Sequence, residues 1–279
     1  MALTSILFYE EPVLVFHMGI GAVIFMVGTF ISIVMVLIEW GKKMGSDEAY
    51  NDADERRRSF IRRLDHEVKN PLTGLRAALA NLSEAASPQE REHAAVNARR
   101  DVSRLTRLLA DLRKLSDLEE RPLEHLPVYM PNILEEIVEA SLSLPAYQGR
   151  VVNLLIANVP PLPLITGDRD LLGLACYNLV ENALKYSGPD KEVEVRAREE
   201  GRSVLIEVAD GGAGISVEDL PHLCEELYRG ANARGIDGSG LGLALTARIV
   251  DLHGGSLNVT SHQGERSGTI FSIQLPSKK

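Results

Sequence analysis

Apolar residues fall at alternating steps of three and four through Ile61, Leu64, Val68, Pro71, Leu75, Ala78 and Leu82, which is the a/d seam of a coiled coil or helical bundle. "SPQE" follows, with Ser87 as N-cap, Pro88 at the first helical position and Glu90 three residues after the cap. That is a capping box, and it predicts a second helix. This helix carries Ala98, Val102, Leu105, Leu109 and Leu112 and runs to about Leu118. The two helices make an αα-hairpin whose apolar stripes are too long for the pair alone to bury, so pairing of two copies into a four-helix bundle is expected.

The pattern changes after Arg121. "RPLEHLP" reads as a linker or edge strand, Pro131 to Leu144 as a helix, residues 151–156 ("VVNLLI") as a strand and Asp168 to Tyr186 as a helix. "EVEVRARE" and "RSVLIEVA" alternate around "EGR", and "SLNVTS" pairs with "GTIFSIQL", giving two hairpins either side of a helix from Leu241 to His253. Strands and helices mix without regular βαβ alternation, so the fold class is α+β. Upstream, Val13 to Ile38 is apolar apart from His17, Thr29 and Ser32, and Met18 to Ile38 has no ionisable residue. As a helix this stretch spans roughly 30 Å, enough for one membrane crossing. Glu10 and Glu11 before the run and Lys42 and Lys43 after it argue against a signal peptide. The lysines place the C-terminal side in the cytoplasm.

Composition narrows the function. A net charge of −9 argues against a nucleic-acid binder, and the basic run Arg56, Arg57, Arg58, Arg62 and Arg63 suits anionic lipid next to a membrane segment. Cys176 and Cys224 have no metal-ligand spacing and read as free thiols, and no HxxxH or HExxH pair predicts a transition-metal site.

Four stretches carry chemistry. In "LDHEVKNP", His66 falls at position f if Ile61 is a, opposite the seam; Asn70 shares its face and Glu67 is about 100° round. Taken alone, this stretch is better read as a solvated surface with an incidental histidine. In "NLVENALKYS", Asn178, Asn182 and Lys185 share one helix face, where amide oxygens suit Mg²⁺ and an ammonium suits phosphate. "DGGAG" ends a β-patterned run with Asp210, and its glycines let a ligand approach the backbone. "GSGLGLAL" puts glycines before an apolar helix, an arrangement that receives phosphate. Each is weak alone; their order is specific.

Over roughly residues 46–279 the chain resembles the sensor histidine kinases of bacterial two-component systems. "LDHEVKNPLTGLR" looks like their phosphoacceptor box, the next three stretches like their N, G1 and G2 boxes, and "GERSGTIF" is similar to the final glycine box. The apolar run and its flanks give a short extracytoplasmic segment (1–12), a transmembrane helix (13–38) and a juxtamembrane linker helix (39–58), and the resemblance implies what comes after them. A dimerisation and phosphotransfer hairpin (59–119) and a catalytic ATP-binding α/β sandwich of the Bergerat type (120–279) would follow. By the same resemblance His66 is the phosphoacceptor, Glu67 its acid/base, and Asn70 the residue that orients water for dephosphorylation. Asn182 holds Mg²⁺ with help from Asn178, Lys185 and Tyr186 face the ATP phosphates, and Asp210 accepts from the adenine amino group in a pocket lined by Gly212 and Gly214. Arg229 reaches the γ-phosphate, and Gly238, Gly240, Leu241 and Gly242 close a mobile lid. The partners implied are a second copy and the receiver aspartate of a response regulator, at the cell inner membrane. Cys224 and Leu227 stand where the family usually has phenylalanines. Gyrase-type ATP hydrolysis is disfavoured because Asn178 occupies the position of their water-activating glutamate, and an amide takes no proton from water. A non-enzymatic membrane-tethered scaffold has only the altered lid in its favour.

Overall fold

The computed structural model describes residues 55, 57–84, 87–120, 122–157, 160–233, 235–264 and 267–277. The expected membrane helix, 13–38, lies outside the described residues, among which no helix is long and apolar enough to cross a membrane. The chain divides into two compact units, Met1–Ser59 and Phe60–Lys279; apart from the first three residues of helix α1, the second holds the architecture that follows.

Helix α1 occupies residues 57–84, running through Pro71, and helix α2 occupies Pro88–Glu120. The capping box forms: Ser87 Oγ accepts from Glu90 N at 3.2 Å, and Glu90 Oε2 accepts from Ser87 N at 3.3 Å, so two otherwise orphaned donors are satisfied. In α1 the seam turns Pro71 and Ala78 inward, half-buries Leu64, Val68, Leu75 and Leu82, and leaves Ile61 exposed. In α2 the inward stripe is Ala94, Ala98, Leu105, Leu108, Leu112 and Leu115, while Val102 and Leu109 face solvent. The expected α2 stripe therefore mixes two faces. Gly74 lets the helices close: a Cβ there would lie 2.3 Å from Asp101 Oδ2.

After α2 the chain forms β1 (Leu126–Val128), α3 (Met130–Ser143), β2 (Val152–Ile156), β3 (Ile165–Gly167), α4 (Arg169–Tyr186), β4 (Val193–Glu200), β5 (Ser203–Asp210), α5 (Gly242–Leu252), β6 (Ser256–His262) and β7 (Gly268–Pro276). Five strands make one sheet in the order β2-β4-β5-β7-β6. Both expected hairpins pair antiparallel, Val195 opposite Val208 and Val259 opposite Phe271, while β2 joins β4 in parallel, Leu154 opposite Val195. Alternation along β4, β5 and β7 sends Val195, Ile206 and Ile273 to one face, and there Leu134 of α3, Leu179 of α4 and Ile249 of α5 complete a continuous core. This is the expected α/β layer.

Two features lay outside the sequence reading. Strands β1 and β3 pair antiparallel, Pro127 opposite Thr166, which clips the chain leaving the hairpin onto the α/β layer. Asp168 caps α4, its Oδ1 accepting from Asp170 N and Leu171 N at 3.1 Å each. The Asp168 N–H in turn donates to His253 Nε2 at 2.9 Å, and His253 Nδ1 lies 2.7 Å from Ile249 O, which places the ring proton on Nδ1. The buried His253 thus ties the start of α4 to the end of α5.

Candidate functional site

Helix α4 presents Asn178, Glu181, Asn182, Lys185 and Tyr186 to a cavity of about 450 Å³. The wall is completed by Asp210 at the end of β5, by the segment from Ala213 to Gly242, and by Arg107, Asp111 and Lys114 of α2. Four-residue spacing on α4 gives the polar face, while Leu179, Val180 and Ala183 on its other side anchor it in the core. Lys185 Nζ lies 3.0 Å from Glu181 Oε1, a pairing across one helical turn.

The G1 turn is shaped by close backbone approach. A Cβ on Gly212 would lie 2.5 Å from Tyr186 O, and one on Gly214, whose φ is +75°, would lie 2.0 Å from His262 O. Only glycine fits either place. Gly214 lines the cavity, whereas Gly212 is not among its lining residues and serves by letting the turn press against the end of α4. Asp210 Oδ1 accepts from Gly212 N at 2.8 Å. Burial pushes the Asp210 carboxyl above its ordinary range, opposed by the N–H groups of Gly212 and Thr269, so this acceptor is partly desolvated. Burial also raises the Tyr186 phenol, opposed by the Arg229 charge.

The donor set fits a hard cation. Asn178 spends its NH₂ on Gly242 O at 3.2 Å, leaving its amide oxygen, and Asn182 makes no side-chain hydrogen bond among the described residues. Two amide oxygens beside a carboxylate are ligands of the kind Mg²⁺ takes, with water and phosphate oxygens completing its shell.

The segment expected to form the lid packs against the hairpin. Arg229 donates to Ala233 O at 2.6 Å and to Ile236 O, knitting the lid to itself while lining the cavity. Leu227 has a φ of +60°, rare for a non-glycine residue. It is buried against Leu108 of α2 and Leu241 of the G2 loop, with Phe60, Leu64 and Val68 of α1 around them. Leu241 is therefore an anchor to the hairpin and does not line the cavity, while Gly238, Gly240 and Gly242 do. Cys224 is exposed. Arg63 of α1 donates to Glu226 O at 3.1 Å, pairs with Glu225 and lies 5.7 Å from the centre of the Tyr228 ring. Tyr228 in turn donates to Asp219 Oδ1 at 2.6 Å, which pushes its phenol up to about 12.

His66 and Asn70 are exposed on α1, and Glu67 leans toward α2, where Arg104 donates to its Oε2 at 2.6 Å. Arg63 precedes His66 by about one turn. The segment from Glu225 to Tyr228 thus meets α1 at Arg63, three residues before His66.

Comparison with known proteins matches both halves. Residues 56–121 match the His Kinase A (phospho-acceptor) domain, and residues 167–279 match the histidine kinase-, DNA gyrase B-, and HSP90-like ATPases. The chain belongs to the two-component sensor histidine kinase family. It is 32% identical over 236 residues to the sensor-like histidine kinase SenX3 of Mycobacterium bovis, a match covering 82% of this chain and 56% of that one. It is 29% identical over 229 residues to the heme sensor protein HssS of Staphylococcus haemolyticus, covering 82% and 49% respectively. The chain therefore spans about half the length of the curated relatives it matches. Full-length ShkA, solved in complex with AMPPNP, superposes with a TM-score of 0.56 at 25% identity, over 77% of this chain and 45% of that one. Within this family frame, Arg63, Arg107, Asp111 and Lys114 are site-forming residues that the boxes do not include. The local signal for three of them is the polar face that Arg107, Asp111 and Lys114 share on α2, while Arg63 belongs to the basic run read as suiting lipid and here contacts Glu225 and Glu226.

Proposed function

We propose that the chain is a membrane-anchored, homodimeric sensor histidine kinase. It phosphorylates its own His66 from ATP, passes the phosphoryl group to an aspartate of a response regulator and dephosphorylates that aspartate as well. One observation carries this reading: the cavity bearing Asn178, Asn182, Lys185, Asp210 and Arg229 is walled partly by the hairpin, and its lid is fastened to Arg63, one turn before His66. Family membership and the nucleotide analogue bound by ShkA support ATP as the phosphoryl donor.

In this reading Asp210 accepts from the adenine amino group. Lys185 leaves Glu181 for the phosphates, and Asn182 with Asn178 holds Mg²⁺, which supplies positive charge to the phosphate oxygens when bound. His66 attacks as a neutral imidazole and must lose its other ring proton. Glu67 is the adjacent acceptor once Arg104 releases it. Asn70, one turn on, orients water toward a docked phosphoaspartate by hydrogen bonding alone. The apolar run from Met18 to Ile38, its lysine-rich cytoplasmic flank and the exposed Ile61, Val102 and Leu109 support the anchor and the dimer.

Incubating the full chain in detergent with γ-labelled ATP tests the proposal. Acid-labile, base-stable label should form on the wild type and vanish in His66→Ala while nucleotide binding persists; label surviving on the variant overturns the assignment. Asn70→Ala should keep the label but slow loss of phosphate from the regulator.

A further inference from the structure

Helix α2 brings charge into the nucleotide cavity that the proposed reaction does not use. Arg107, Asp111 and Lys114 all line it. Ser239 Oγ donates to Asp111 Oδ2 at 2.7 Å, and the same Oγ accepts from Leu241 N at 3.2 Å. Ser239 stands between Gly238 and Gly240, in the loop that leads into α5. Hydroxyl and N–H donors ahead of a helix are the groups that receive a phosphate. Here the hydroxyl already donates to an anion of the chain itself, and the Leu241 N–H is turned onto that hydroxyl.

The contact is held from both sides. Leu108, one turn before Asp111, is buried with Leu227 and Leu241, and Arg107 pairs with Asp237 at 3.2 Å. Lys114 Nζ lies 3.6 Å from Asp111 Oδ1, so a cation facing the cavity is partly neutralised by the same carboxylate. A phosphate approaching the G2 loop meets a negative charge, an occupied hydroxyl and a lysine already engaged.

We infer that Asp111 is a built-in competitor of nucleotide phosphate: its carboxylate holds the anion position of the G2 loop, so that phosphate binding and release of the loop from α2 are linked. The inference rests on the nucleotide site proposed above. Linkage is reciprocal. A docked hairpin weakens nucleotide binding, and bound nucleotide loosens the hairpin's hold on the lid by the same factor. ATP then acts both as phosphoryl donor and as the ligand that undocks the lid.

Calorimetric titration of the full chain in detergent with Mg·ADP separates charge from packing. Asp111→Asn keeps an acceptor for Ser239 but removes the charge, and should bind ADP roughly three- to tenfold tighter, the effect of one partly screened charge. In a Ser239→Ala background the gain should shrink, because the two residues act through one contact. Lys114→Met added to Asp111→Asn should return part of the gain. Asp117→Asn, on the exposed side of α2 beside Arg113, should leave affinity unchanged and so exclude a general effect of net charge. Asp111→Ser gives the same comparison if Asp111→Asn does not fold. Wild-type affinity or weaker in the folded Asp111 variant overturns the inference while leaving the nucleotide site intact; no ADP binding by the wild type overturns both.

Discussion

Leu134, Leu179, Val195, Ile206 and Ile249 in the α/β layer show 0% of their surface to solvent, whereas Ile61, Leu72, Leu79, Val96, Val102 and Leu109 in the hairpin keep 44% to 64% of theirs. Both regions are amphipathic and both have helices with capped starts. They differ in closure. Three helices lie on one face of a five-stranded sheet and complete a core without help, while two helices have only one mutual face and leave a second apolar stripe over. The polar contacts follow suit: His253 seals a buried N–H in the layer, while Glu67 and Arg104 meet at a half-open position between α1 and α2. Under the proposed function, the region that exchanges partners is the one built from contacts that open cheaply, and the region that holds the nucleotide is the one that is not.

Core truncation breaks this comparison most severely. Leu179→Ala should cost about 2–5 kcal/mol of unfolding free energy, as buried leucines do, and chemical denaturation would read it as a large fall in midpoint. Leu109→Ala should leave that midpoint within about 0.5 kcal/mol and instead weaken self-association in sedimentation velocity. A Leu109→Ala loss of stability that matches Leu179→Ala and does not depend on concentration would remove the distinction.

A smaller effect separates the polar contacts. His253→Ala strands the buried Asp168 N–H, so it should cost about 1–3 kcal/mol. Arg104→Met opens a pair whose side chains are 30% and 17% exposed, and should cost about 1 kcal/mol or less once solvent screening is counted. Paired urea titrations compare the two; an equal or larger loss for Arg104→Met would show that the hairpin is as tightly sealed as the layer.

The smallest effect sharpens the picture of the pocket itself. The Asp210 carboxyl is raised by burial above its ordinary value of 3.8, so the folded chain holds that proton more tightly than the unfolded chain. Its contribution to stability is greatest below the unfolded value and is lost as pH rises through the folded one. Without nucleotide, Asp210→Asn should therefore melt at or slightly above the wild-type temperature at neutral pH, and below it or level with it in acid. Thermal melts across that window give the slope. A variant less stable at neutral than at acid pH, relative to the wild type, contradicts this account of the buried carboxylate.

Much of this was legible in the sequence because it is local. The Ser87 capping box, the β4–β5 and β6–β7 hairpins and the polar face of α4 each sit within a few turns or one strand pair, where period and cap residues carry the signal. What escaped depends on distant parts of the chain. A three-residue strand such as β3 holds no period to detect, so the partner of the edge strand read in "RPLEHLP" stayed hidden, and the parallel β2–β4 pairing depends on the crossover through β3 and α4, which lie between them in sequence. The α2 stripe was read through Val102 and Leu109 because apolar residues occupy two adjoining faces, and only contact with α1 selects Leu105 and Leu108. In the site, Asn178, Asn182, Lys185, Asp210, Gly214 and Arg229 were named from their boxes and all line one cavity. Leu241 and Leu227 belong to a cluster with the hairpin instead, and Asp111 reaches Ser239 across 128 positions of sequence. No local pattern encodes a contact of that span.

The clip between β1 and β3 has a consequence for how strongly the halves need to attract each other. Only residues 121–125 separate the end of α2 from β1, so the α/β layer is tethered beside its own hairpin at a local concentration in the millimolar range. At that concentration an association worth only about 4 kcal/mol in total, drawn from the Leu108–Leu227–Leu241 cluster with side-chain pairs worth about 0–1 kcal/mol apiece, suffices to keep Arg63 on Glu225 and Asp111 on Ser239. The same layer cut free and supplied separately should find the hairpin only near that concentration. Weak, tethered contacts also open and close quickly, which suits the displacement of the lid by nucleotide that we infer above.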